Sequence, residues 1–96
     1  MVELQKHLLE KFLHKYGEDE QLRQAMGECG ELIAACQNYH RAKKFGYKKE
    51  DLEKVIEEAV DVYFMIQQVR FLNPFMFDLY CNSKYQKVLD KFNNET

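Results

Sequence analysis

Apolar residues recur at helical spacing through two long stretches of this chain, and the stretches match one another almost position for position. Leu22, Ala25, Met26, Cys29, Leu32, Ile33, Cys36 and Tyr39 form one stripe; Leu52, Val55, Ile56, Ala59, Val62, Tyr63, Ile66 and Val69 form the other. Recurrence at three and four residues puts each set on one side of an α-helix. A shift of thirty residues carries Leu22 onto Leu52, Ala25 onto Val55, Met26 onto Ile56 and Leu32 onto Val62. Two helices of equal pattern with a short break between them predict an antiparallel hairpin that buries these stripes. Nothing alternates with period two for long enough to make a sheet, so the fold class is all-α.

Punctuation sets the helix boundaries. Leu4, Leu8, Leu9, Phe12 and Leu13 predict a first helix that stops at Gly17, a residue suited to a helix C-terminus. Glu18-Asp19-Glu20 opens the second helix at the end of the dipole that favours acid, and this helix runs to about Lys44. Phe45-Gly46-Tyr47 breaks it, and a third helix starts near Glu50-Asp51. Asn73-Pro74 ends the third, because the residue before proline avoids helical angles. A fourth helix takes the remainder through Tyr85, Val88, Leu89 and Phe92. The expectation is one four-helix domain over residues 1–96, built on a central antiparallel hairpin.

Size and charge narrow the class. A chain of 96 residues is near the lower end of what buries a comfortable core alone, so completion by a partner subunit is expected. The apolar run Phe71–Phe77 around the break reads as part of such an interface. The net charge of −2 gives no electrostatic reason to bind nucleic acid. The N-terminus is charged and amphipathic, unlike a signal sequence, and no apolar run approaches membrane length. Cys29, Cys36 and Cys81 lack zinc-ligand spacing and read as reduced core residues of a cytoplasmic protein.

Two acidic pairs carry the chemistry. Glu28 and Glu31 lie three apart on the second helix, as Glu58 and Asp61 do on the third, and residues three apart share a helix side. The thirty-residue shift superimposes the pairs. At about 100° per residue, the first member of each lies roughly 90° from the centre of its apolar stripe. In a hairpin the midpoint of Glu28 and Asp61 coincides with that of Glu31 and Glu58, between Lys44 and Phe45. All four carboxylates then stand within about one helical turn. Acidic pairs at this spacing are common on solvated faces, where Glu50 with Lys54 is a simple ion pair. Glu28 and Glu58 differ in bordering the core, where an unneutralised charge is costly. A hard divalent cation, magnesium or else manganese, is the simplest neutralising agent for an all-oxygen set. Di-iron bundles use Glu-x-x-His to bring imidazole ligands, and that motif is missing here.

The stretches Gly27-Glu28-Cys29-Gly30-Glu31-Leu32-Ile33 and Glu57-Glu58-Ala59-Val60-Asp61-Val62 resemble the MazG-like, all-α nucleotide pyrophosphohydrolases. That family carries Glu-Glu-x-x-Glu on one helix and Glu-x-x-Asp on the next. The resemblance covers nearly the whole chain. It implies that Glu28, Glu31, Glu58 and Asp61 bind magnesium, with Glu31 and Glu58 in catalytic roles. The implied reaction splits a nucleoside triphosphate between its α and β phosphates, and the implied assembly is a homodimer or homotetramer. Lys84, Lys87 and Lys91 recur at helical spacing on the last helix, where the family places basic residues, and are the candidate phosphate contacts. One position departs: Gly27 stands where the family motif has its first Glu. That departure keeps a second expectation open, a nucleotide- or metal-binding module of the same fold that turns over weakly or not at all.

Overall fold

The computed structural model describes residues 1–46 and 48–95 of the chain. Three helical elements follow one another, α1 (Lys6–Ala42), α2 (Lys49–Leu72) and α3 (Pro74–Glu95), with no strand among the described residues. The all-α expectation holds. The sequence pattern predicts four helices, and the difference lies at Gly17. This residue sits inside α1 with φ 79° and ψ 164°, a conformation open to glycine and strained for other residues. The first two predicted helices therefore meet at a kink instead of a loop.

The other breaks fall where the sequence places them. Gly46 takes φ 84° between α1 and α2, while Tyr47 of the same predicted break lies outside the described residues. The Lys48 amide donates to Asp51 Oδ2 at 3.1 Å, and Glu50 and Asp51 put acid in the first turn of α2, where the helix dipole favours it. Asn73 Oδ1 accepts from the Met76 amide at 3.0 Å. With Pro74 as the first residue of α3, this is a side-chain cap ahead of a proline start.

The long part of α1 beyond Gly17 packs antiparallel against α2. Gln21 Nε2 donates to Gln68 Oε1 at 3.2 Å across the pair. These two glutamines share their midpoint, between Lys44 and Phe45, with Glu31 and Glu58, so the predicted hairpin register forms. Ahead of α1, the chain is tied to α2 through one side chain. Gln67 accepts from the Leu4 amide at 2.6 Å and donates to the Val2 carbonyl at 3.1 Å. Leu4 and Leu9 then line a groove with Tyr63, Ile66 and Phe77.

The hairpin seam takes one edge of each predicted stripe and leaves the other edge outside. Ala25, Leu32, Val55 and Val62 are half-buried beside buried Gln21, Ala35, Glu58 and Met65, whereas Met26 is 68% exposed, Ile33 59% and Ile56 55%. At about 100° per residue, the line Gln21–Glu28–Ala35 lies roughly 140° from the outward edge Leu22–Met26–Ile33, and α2 shows a similar offset. Periodicity fixes which residues share a face, but not which face meets which partner. Cys29, Cys36 and Cys81 are correspondingly exposed free thiols, which corrects their reading as core residues.

α3 leaves α2 at the Asn73 corner, where Arg70 grips Asp78 with two hydrogen bonds of 2.9 and 2.8 Å. No α3 residue is buried, and Tyr85, Val88 and Phe92 are each more than 60% exposed. The chain is accordingly open. Its radius of gyration is 16.7 Å, against about 12–13 Å for a compact chain of this length. Among the described residues, no helix is long and apolar enough to cross a membrane.

Candidate metal centre

Glu28 and Glu31 project from successive turns of α1, and Glu58 meets them from α2. Carboxylate oxygens of the three lie within 4.8 Å of one another. Hairpin register causes this convergence, because Glu31 and Glu58 are level and Glu28 sits one turn along. Glu58 is buried, its side chain 5% exposed; Glu28 is half-buried and Glu31 opens to solvent.

Like charges this close cannot all stay ionised. The hydrogen bond between Glu31 and Glu58, followed by the charges of Glu28 and Glu58, holds the Glu31 carboxyl above its ordinary range. Glu58 goes the other way. Lys54 Nζ lies 2.7 Å from Glu58 Oε1 and holds that carboxyl below its usual range, with the bond from Glu31 adding to the effect against the cost of burial. The same contact raises Lys54. Without metal, then, the site holds a proton most readily on Glu31 and least readily on Glu58.

This neutralisation is incomplete. Glu28 Oε2 and Glu58 Oε2 are buried with no hydrogen-bond partner among the described residues, an arrangement that is costly to keep. Both orphans are acceptors, so these two oxygens lack a positive or donating partner beyond what Lys54 gives Glu58 Oε1. An all-oxygen donor set fits a hard divalent cation. Oxygens on opposite vertices of a magnesium octahedron lie about 4.2 Å apart, so small side-chain movements would close the trio on one ion.

The other expected residues are placed as follows. Asp61 lies one turn beyond Glu58 on α2, exposed, and its carboxylate is not within the close trio. Lys84 lines the corner between α2 and α3 with Val69, Leu72 and Tyr80. Val69 is eleven residues beyond Glu58, about 16 Å along the helix, and Lys87 and Lys91 continue along α3, whose backbone stays clear of α1. Within one chain the lysines and the acidic trio are therefore apart. Lys54 is the residue that sequence reasoning misassigned, by pairing it with Glu50. It has a glutamate four residues away in each direction, and the buried one holds it, since a charge needs a partner more where water is scarce.

No protein-family model, curated protein or solved structure matches this chain.

Proposed function

We propose that this chain is a magnesium-dependent nucleoside triphosphate pyrophosphohydrolase of the MazG-like kind, releasing a nucleoside monophosphate and pyrophosphate. The observation that carries the reading is Glu58: buried, facing Glu28 and Glu31, with an oxygen that has no partner among the described residues. What narrows a divalent-cation site to this reaction is the motif. Glu28-x-x-Glu31 and Glu58-x-x-Asp61 stand on the two rods of one hairpin, as the resemblance implies.

Glu28, Glu31 and Glu58 hold the cation, with Asp61 as the fourth carboxylate on the open side. A magnesium or manganese ion held there would supply charge neutralisation for a phosphate group and activation of a water. Glu31 is the most exposed member of the trio, so it is the carboxylate placed to orient the attacking water and take its proton. Buried Glu58 fixes the geometry. Lys84, Lys87 and Lys91 reach a bound triphosphate only across an assembly, as homodimer or homotetramer, because α3 points away within its own chain. Three free cysteines suit a reducing compartment such as the cytoplasm.

Pyrophosphate release from a panel of ribo- and deoxyribonucleoside triphosphates with magnesium tests this. Wild type should release pyrophosphate and monophosphate in equal amounts, and Glu58→Gln should abolish release while the fold persists. Orthophosphate as the product would overturn the bond assignment. Gly27 motivates the second reading, a binding module with little turnover. A Cβ at Gly27 meets nothing within 4 Å, so a side chain can leave the backbone there without a clash at its first carbon. A large gain in rate in that variant would favour the second reading for the natural chain.

A further inference from the structure

The seam between α1 and α2 contains a buried amide pair whose place in the register is that of the acidic trio. Gln21 is 2% exposed and donates to Gln68 at 3.2 Å. Gln68 Nε2 in turn reaches the Phe64 carbonyl at 3.5 Å. Gln21 lies seven residues before Glu28 and ten before Glu31, and Gln68 ten after Glu58, so the amides occupy the same seam about 10 Å from Glu28 and about 15 Å from the other two carboxylates.

Apolar packing specifies this register weakly. Met26, Ile33 and Ile56 face outward, and the seam holds buried Ala35 and Met65 with half-buried Ala25, Leu32, Val55, Val62 and Val69, small or aliphatic residues that repeat turn after turn. Slipping one rod past the other by a turn, about 5.4 Å, would exchange one such apolar layer for another. It would break the amide pair, and it would carry Glu31 away from Glu58. The Gln21 amide also keeps a buried oxygen without a partner, a cost that a leucine would avoid.

We propose that the Gln21–Gln68 pair is the register lock of the hairpin: it positions α1 against α2 so that Glu28, Glu31 and Glu58 converge, and it serves the site more than it serves stability. Buried polar pairs that select one register are known from coiled coils. Both glutamines are positioning residues, and the proposal's bearing on function rests on the metal-site reading above.

The test compares wild type with Gln21→Leu/Gln68→Leu in the full chain. Spin labels at exposed Arg23 and Glu53, with the native cysteines replaced by serine, report register with no metal present. These positions are separated by about 20 Å along the helix axes. Wild type should give one distance. The double variant should fold with an equal or higher melting temperature, show a second population shifted by about 5 Å, and bind manganese at least tenfold more weakly. The charged swap Gln21→Lys/Gln68→Glu should restore the single distance. An unchanged distance in the leucine variant overturns the lock. Should that variant fail to fold, the single change Gln68→Leu serves, and one unshifted distance there overturns it equally. A shifted register with no manganese binding even in wild type keeps the lock and removes the metal site instead.

Discussion

Crowding by Glu58 and Glu28 raises the proton affinity of Glu31, and a proton held there has to leave before three carboxylates can face one divalent cation. The two states of the site therefore answer pH in opposite ways. A carboxyl with a raised pKa in the folded chain binds its proton more tightly there than when unfolded. Its stabilising contribution is full below the ordinary carboxyl value and fades as pH rises through the raised one. The metal-free protein should lose stability across that window, whereas the manganese-loaded protein should not, and manganese should bind more tightly as pH rises, with release of a proton. Melting curves against pH, with chelator and with manganese, check this; parallel profiles would sink it. Glu58 runs the other way: its pKa is lowered by Lys54, so its contribution holds above the ordinary value and fades as pH falls through the lowered one. Lys54→Met should accordingly destabilise the metal-free chain and enlarge the thermal shift on adding manganese, because only the ion then compensates the buried charge.

Helices, more than residues, decide how much of this was readable from sequence. Gly17, Gly46 and Asn73-Pro74 mark the chain's turns by backbone chemistry that is local, so the structure repeats them. The hairpin register was readable too, since a shared midpoint is a property of chain connectivity, and Gln21 with Gln68 confirms it. The buried face was readable only along one edge of each stripe, at residues such as Leu32, Val55 and Val62. Met26, Ile33 and Ile56 carry the clearest periodic signal, yet they point outward, because a helix with polar groups to bury and apolar ones to cover presents each to a different neighbour. Sequence reasoning assumed that the nearest helix took the apolar face. For the same reason it underrated the burial of Glu58 and gave Lys54 to Glu50. Gly27 adds a prediction at this scale. It lies mid-helix with open space where a Cβ would stand, so Gly27→Ala should stabilise the chain by about 1 kcal/mol. Chemical denaturation measures it, and a loss of stability would mean that something closes on that face.

Across the whole molecule, the outward stripes need a cover. The chain exposes 7972 Å², while a compact monomer of its mass exposes roughly 5,800 Å². The excess, about 2,000 Å² per chain, matches what obligate interfaces bury. Its location is consistent. The stripes of α1 and α2 are offset from the seam in the same rotational sense, and in an antiparallel pair equal offsets open on the same side. Leu22, Met26 and Ile33 therefore share one side of the hairpin with Leu52 and Ile56, while Glu31 and Asp61 lean to the opposite side. A second copy can cover the apolar side and leave the acidic side free for a ligand. Because Met26 and Ile56 are exposed in the single chain, a charge placed there costs the monomer little and the assembly a great deal. Wild type should sediment as a dimer or tetramer. Met26→Asp and Ile56→Asp should sediment as smaller species, with thermal stability falling as the assembly dissociates and with most helical signal retained at low temperature. A monomeric wild type, or variants of unchanged mass, would leave the stripes without the partner that their exposure demands.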